Sequence, residues 1–375
     1  MRVVHLSCIA PPQIGGIGRV AAQDVAGLRS RGVDATLISP TMHPTFWHVG
    51  NAAALNIHRI INDLNEADVV HLHYPFYGTA GMIVRLRRRG VIKRLVMTLH
   101  MDATAGGFRG LYFDLHRRIA QPRILKMADA LLVSSLEYAR HSSYARFVDN
   151  RRMHELPFGV DEKQFSPALA AGSWQLAARH QSNPQLPATS YQLLFVGGMD
   201  TAHAFKGVDV LLRAMTQMPQ NVTLTLVGDG NLRPSYEKLA RGLGISSRVK
   251  FLGRVSENEL PNIYRSADVF AFPSTNGAEA FGLAALEAQS SGVPVVASNL
   301  PGVRTVVANG ETGFLVPPGD VEALAKRLHY LLDHDDVRHA MGHRARERVL
   351  ERFTWTKYLE GLMNIYQKLL YQKLP

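Results

Sequence analysis

The stretch DVFAFPSTNGAEAFGLAALEAQSSGVPVVAS, residues 268–298, contains a complete structural unit. DVFAFPS (268–274) is a short apolar run rich in aromatic and β-branched residues, which predicts a buried strand. TNGA reads as a loop, LAALEAQSSG as a helix stopped by Gly292, and VPVVAS (293–298) as a second buried strand. A strand, a crossover helix and another strand predict parallel pairing. Within the unit, EAFGLAALE sets Glu279 and Glu287 eight positions apart, a little over two helical turns, so both can face one way. Gly282 falls where the helix begins.

The same alternation extends in both directions. VVHLS (3–7), ATLIS (35–39), DVVHLH (68–73), RLVMTLH (94–100), ALLVSS (130–135) and MHELP (153–157) form one series. YQLLFVG (191–197), VTLTLVG (222–228), VKFLG (249–253), DVFAFPS, VPVVAS and GFLVP (313–317) form a second. The expected fold is therefore α/β, with two Rossmann-like, doubly wound parallel-sheet domains facing a central cleft. The expected boundaries are 1–165 for the first domain, 166–190 for a linker containing Pro, Gly, Ala and Ser, and 191–354 for the second domain. The tail, from about 355 to 375, has helical spacing of apolar positions and is expected either to pack back on the first domain or to form the ordinary last helix of the second. Ligands of such sheets lie beyond the carboxyl ends of the strands.

Composition narrows the function classes. The 375 residues are 46% hydrophobic, contain no apolar run long enough to span a bilayer, and begin with a segment that reads as a buried strand rather than a signal peptide. The expectation is a cytoplasmic protein, with a peripheral position on the inner face of the cell membrane as a variant of it. The single Cys8 excludes an internal disulfide framework and any cysteine-rich metal site. The net charge of +11 is uneven: residues 1–165 carry 21 Lys+Arg against 13 Asp+Glu, a net +8, which leaves +3 for the remainder. An anionic partner of the first half is implied, whether nucleic acid, membrane surface or phosphorylated substrate; simple solubility is the plain alternative.

Several residues carry chemistry. Backbone N–H groups at Phe281, Gly282 and Leu283, at the positive end of a helix, suit a diphosphate without a cationic side chain. Glu279 can accept from sugar hydroxyls, and Glu287 offers two acceptor oxygens to the vicinal hydroxyls of a ribose. The plainer reading is an acidic residue favoured by the helix dipole and an unrelated exposed glutamate. Gly15 and Gly16, after the first strand and before a helix from about 17 to 31, allow close backbone approach to a phosphate, or else simply make a tight turn. Their spacing fits neither a Walker loop nor a dinucleotide fingerprint. His71 and His73 share one face of a strand, but two histidines without a carboxylate make an unconvincing metal site, and they are read as cleft lining. DHDD (333–336) lies between helical stretches and reads as a solvated helix terminus, so no obligatory metal is expected.

Together GGIGRV, TLHMD, LPFGVDEKQFSP, FVGGMDTAHAFKG, LVGDGNLRPSYEKLA, EAFGLAALEA, GVPVVASNLPGVRTVV and NGETGFLVPPGD resemble the retaining, nucleotide-sugar-dependent glycosyltransferases of the GT-B fold, family four, over nearly the whole chain. The glutamate pair is the most specific element. The resemblance implies that Glu279 binds the donor sugar, Glu287 the ribose and the intervening amides the diphosphate. It also implies that His100 contacts the transferred sugar, with Asp102 beside it near the acceptor, and that Lys206 stabilises the leaving diphosphate. The co-substrate would be a nucleoside-diphosphate sugar, with GDP-mannose, UDP-glucose and UDP-N-acetylglucosamine all open. The acceptor would be a hydroxyl of a glycan or lipid-linked molecule, as in cell-envelope polysaccharide or glycolipid biosynthesis.

Two departures stand out. Gly198 occupies the position where many members have an arginine, with His203 or Arg19 as candidates to compensate. Phe158 replaces a common asparagine, with an effect expected on a linking turn more than on chemistry. RLRRRGVIKR (85–94) and GFRGLYFDLHRRIAQPRILK (107–126) mix cations with Phe108, Leu111, Tyr112, Phe113 and Ile119, a pattern suited to anionic lipid headgroups, or to a core with a solvated basic rim. The alternatives are a nucleotide-sugar epimerase or hydrolase of the same shape, a basic nucleic-acid-binding protein, which lacks an RNA-binding aromatic signature, and a catalytically dead nucleotide-binding homologue.

Overall fold

Strands buried on both faces by crossover helices read as continuous apolar runs, and each run named above forms a strand in a computed structural model of the chain. The structure describes residues 1–11, 15–40, 45–49, 52–102, 107–148, 151–167 and 190–371. Most of the expected linker lies outside the described residues. The chain divides into two units, Met1–Phe158 with Trp355–Pro375, and Gly159–Thr354.

In the first unit, β1 (Arg2–Leu6), β2 (Asp34–Ile38), β5 (Val69–Tyr74), β6 (Leu95–Leu99), β7 (Ala130–Val133) and β8 (Met153–Glu155) form a parallel sheet of order β2-β1-β5-β6-β7-β8. A separate antiparallel pair, β3 (Thr45–Val49) and β4 (Ala52–Leu55), intervenes. The sequence reading missed it because Ala-Ala-Ala-Leu has little β propensity. The helix Gly16–Arg29 covers the sheet with Ile17, Val20, Ala21, Asp24, Val25 and Leu28 buried, the i, i+3, i+4 pattern of one helical face. The last helix, Trp355–Tyr371, packs in this unit: a Cβ on Gly27 would overlap the Leu359 side chain, so glycine lets the two helices approach without moving that leucine.

In the second unit, β9 (Tyr191–Val196), β10 (Val222–Val227), β11 (Val249–Gly253), β12 (Val269–Phe272), β13 (Val295–Ser298) and β14 (Gly313–Val316) form a parallel sheet of order β11-β10-β9-β12-β13-β14. Its core joins Leu193, Phe195, Leu211, Leu224, Leu226, Val269 and Leu328. Strand order reverses between β9 and β12 here, and between β1 and β5 in the first unit. In each sheet that reversal opens a crevice at the carboxyl ends of the strands, where such folds place ligands.

Candidate active site

The loops leaving β9 and β12, on the two sides of the second unit's reversal point, converge. From the β9 side comes a 3-10 turn, Thr201–Lys206, started by Asp200, whose side chain accepts from the N–H groups of Ala202 and His203. Lys206 ends this turn and donates from Nζ to Glu279 Oε2 at 2.6 Å. From the β12 side, Ser274 Oγ donates to the same carboxylate oxygen at 3.0 Å. The ammonium lies 5.1 Å from the Phe272 ring centre, so an aromatic face as well as a carboxylate stabilises the cation.

The helix Leu283–Ser290 begins four residues after Glu279, with Gly282 at its N-cap in the left-handed region, φ 103°. A Cβ at Gly282 would stand 3.1 Å from the Phe272 ring in a backbone conformation that L residues rarely adopt. Glycine is therefore what lets the chain leave β12 and enter the helix at this angle. The helix points its positive end at the crevice. Phe281 is buried edge-on against Phe353, and Leu283 is half-buried.

Glu287 is 4% exposed and accepts from the Tyr264 hydroxyl at 2.8 Å through Oε2. Glu279 is 7% exposed. The sequence reading singled out both glutamates but not their partners Ser274 and Tyr264. Ser274 carried a signal, since it ends the strand run DVFAFPS. Tyr264 lies on a different helix and carried none.

Gly198 follows β9, and a Cβ there would approach His203 Nδ1 at 2.9 Å. His203 is in turn 2.8 Å from Asp200 Oδ2. The imidazole thus takes the space into which an arginine side chain at 198 would emerge. A cavity of about 500 Å³ in the same unit, against Gln192, Thr223, Val249 and Asn262, lies towards the opposite ends of the strands and shares none of these residues.

In the first unit, Gly15 and Gly16 cap and open the helix Gly16–Arg29 beyond β1. Gly15 has an extended backbone, φ 176°, and a Cβ on Gly16 would meet nothing within 4 Å. Gly18 differs, because its Cβ would strike the Ile9 carbonyl at 2.7 Å. The fold of this unit therefore requires glycine at 18 but not at 15 or 16.

His100, directly after β6, is 6% exposed, and its Nε2 lies 2.9 Å from His73 Nδ1. Burial pushes its imidazole down to about 3, so it is neutral. Phe158 stacks on the His100 ring at 5.3 Å, so it bears on this histidine as well as on the linking turn. Asp102 is occupied by Ser143, which donates to its two oxygens from N–H and Oγ at 2.7 and 2.5 Å. That carboxylate therefore also holds a loop.

His71 and His73 are not cleft lining. Both are fully buried beneath the helices Gly16–Arg29 and Trp355–Tyr371, with His5, Asp24, Tyr358 and Tyr366 around them. The reason is register: β1 pairs with β5 so that His5 lies beside His71, and parallel neighbours in register face the same way. Asp24 carried a signal that went unread, a carboxylate in the middle of an otherwise apolar helical stripe. DHDD spans the exposed junction of helices Val321–Asp333 and Asp335–Arg352, where Asp335 pairs with the buried Arg338 at 2.7 Å.

Comparison with known proteins agrees with this fold. The pattern described as glycosyl transferases group 1 matches residues 178–348, and a glycosyl transferase 4-like domain matches residues 15–159. A D-inositol 3-phosphate glycosyltransferase of Xylanimonas cellulosilytica is 35% identical over 309 residues, 80% of this chain and 71% of that protein. One from Corynebacterium glutamicum is 31% identical over 315 residues, 80% of this chain and 72% of that protein. Among solved structures, sucrose-phosphate synthase from Thermosynechococcus elongatus has a TM-score of 0.79 at 24% identity, covering 98% of this chain and 99% of that one. Anabaena HepE in complex with UDP has a TM-score of 0.76 at 19% identity, covering 98% and 100%. Both structures share the fold.

Proposed function

Because the chain belongs to the group 1 glycosyltransferases and is a glycosyltransferase of GT-B fold, we propose that it moves a hexose from a nucleoside-diphosphate sugar to an acceptor hydroxyl with retention of configuration. Family membership argues against the epimerase and nucleic-acid-binding alternatives. One observation carries the reading. Lys206 and Glu279 form an ion pair at the entrance to a helix whose second turn holds the buried Glu287.

In this reading Glu287, oriented by Tyr264, receives the ribose hydroxyls. The pyrophosphate lies on the first turn of the helix at Phe281, Gly282 and Leu283. Glu279 takes a sugar hydroxyl, and Lys206 stabilises charge on the departing phosphate as the glycosidic bond breaks. In the first unit His100 is assigned to the transferred sugar, and Gly15 and Gly16 to backbone approach to phosphate, since the fold itself leaves glycine optional at both. Front-face displacement suits this arrangement: the acceptor oxygen bonds the anomeric carbon, the carbon–phosphate oxygen bond breaks, and that oxygen takes the acceptor proton. Lys206 and the helix end supply the positive charge that transfer needs, so no divalent ion is assigned to this step.

Relatives support the donor class, since HepE structures contain UDP and UDP-glucose. They also suggest a first acceptor to try, because the curated relatives are named for an inositol 3-phosphate. A lipid-linked acceptor is favoured by the helix Gly107–Leu125, which exposes Leu111, Tyr112, Leu115 and Ile119, with Arg118, Arg123 and Lys126 exposed along the same segment. Leu111, Leu115 and Ile119 recur every four residues and so share a face. No helix among the described residues is long and apolar enough to cross a membrane; contact with an anionic membrane would be peripheral. The test is a thermal-shift panel of UDP-, GDP- and ADP-sugars, followed by transfer assays with inositol phosphate and a lipid-linked glycan. Stabilisation by one donor that Glu287→Ala abolishes supports the site. Stabilisation by none, or binding unaltered in Glu287→Ala, overturns it.

A further inference from the structure

Beneath the sheet of the first unit lies a cluster that the transfer reaction does not use: His5, Asp24, His71 and His73, all fully buried. One potential ligand atom from each lies within 4.8 Å of all the others. Three of them form a compact triangle. His5 Nδ1 is 2.9 Å from His73 Nε2, and Asp24 Oδ2 is 3.8 and 3.7 Å from these two nitrogens. The point equidistant from the three is about 2.0 Å from each, the usual length of a zinc–nitrogen or zinc–carboxylate bond.

We propose that His5, Asp24 and His73 form a metal site for a divalent transition ion, zinc by preference, that pins the helix Gly16–Arg29 to β1 and β5. His71 is the fourth ligand, reached by exchanging its hydrogen bond to Tyr366 for the ion. Imidazole nitrogens with a single carboxylate suit zinc, cobalt or nickel, whereas magnesium and calcium prefer oxygen ligands.

Two further observations favour an ion. Asp24 Oδ1 is buried without a hydrogen-bond partner, and a buried carboxylate needs compensating charge or hydrogen bonds. The outer nitrogens of His73 and His5 and the ligating oxygen of Asp24 are each held, the arrangement that orients metal ligands. His73 Nδ1 faces His100 Nε2 at 2.9 Å, His5 Nε2 faces the Tyr366 hydroxyl at 3.2 Å, and Tyr358 donates to Asp24 Oδ2 at 3.2 Å. Ligation through His73 Nε2 would leave the proton on Nδ1, directed at His100. The site would then also set which nitrogen of His100 carries its proton.

The experiment uses the full, tag-free chain without nucleotide, so its outcome is independent of the donor reading. Protein from zinc-supplemented medium is desalted and its metal content measured. About one zinc per chain is expected, as is a four-coordinate visible absorption band when Co2+ replaces it. A strong chelator should lower the melting temperature, and Zn2+ but not Mg2+ should restore it. Asp24→Asn and His73→Gln should each lose the metal. Less than about one tenth of an ion per chain in folded wild-type protein, with no cobalt band and no chelator effect, overturns the proposal. So does metal content undiminished in either variant. Should both variants fail to fold, the wild-type metal content, cobalt spectrum and chelator response decide alone.

Discussion

Lys206 and Glu279, 73 positions apart, meet at 2.6 Å with both side chains largely removed from solvent. In the proposed donor site the ammonium meets the leaving phosphate and the carboxylate meets a sugar hydroxyl. Each fixes the other's position before any substrate binds, which is preorganisation in a direct sense. Lys206→Ala should therefore lower the single-turnover rate by about 10²- to 10³-fold, with a smaller effect on donor affinity. A rate within threefold of wild type would remove Lys206 from the mechanism.

Tyr264→Phe isolates the orientation of Glu287. The substitution deletes one hydrogen bond to a buried carboxylate and preserves the ring packing against Phe165 and Phe270. Loss of a hydrogen bond to a charged group is worth about 1.5–3 kcal/mol, so nucleotide affinity should fall roughly tenfold or more, with little change in kcat. Calorimetric titration with the stabilising nucleotide checks this. Equal affinity would show that Glu287 needs no help from Tyr264.

Gly198→Arg restores the residue that many members carry. Its Cβ would crowd the His203 ring, which must then give up Asp200. The ring is half exposed and can swing aside, so the expected cost is about 0.5 kcal/mol, read from the denaturant midpoint, and His203→Ala in the same chain should recover it. If Gly198→Arg alone is as stable as wild type, the ring does not block that side chain.

Arg338 is 3% exposed in the second unit. It pairs with Asp335 at 2.7 Å, donates to the Leu331 carbonyl at 2.9 Å and lies 5.2 Å from the Tyr191 ring centre. Arg338→Ala lets the exposed Asp335 return to water but strips a cation from the buried Asp268, 4.0 Å from its Nε, and stranding a buried charge costs about 3–5 kcal/mol. Urea denaturation should show that loss as a lower midpoint, and an unchanged midpoint would show that Asp268 does not depend on this cation.

Cys8 follows β1, fully buried, and burial pushes its thiol up to about 12. The thiolate is the reactive form and is scarce below that value. At pH 8 a thiol reagent should react slowly with the native chain and rapidly after unfolding, and the native rate should rise with pH. Fast native labelling at pH 8 would place the thiol nearer solvent.

The sequence by itself determined the secondary structure of both sheets, because parallel strands covered on both faces must be continuously apolar. It also determined the entry to the helix Leu283–Ser290, because only glycine satisfies the backbone at 282. The two glutamates were legible for a local reason: their spacing along one segment sets their relation. Contacts between distant segments were beyond its reach. Tyr264 with Glu287, Ser274 and Lys206 with Glu279, Phe158 with His100, and the histidines with Asp24 each depend on strand order or on how a helix lies across a sheet. His71 and His73 show the difference most directly. Alternation along β5 put them on one face, but only the pairing of β1 with β5, and the helix laid over both, decided that this face is buried and that a third histidine and a carboxylate share it.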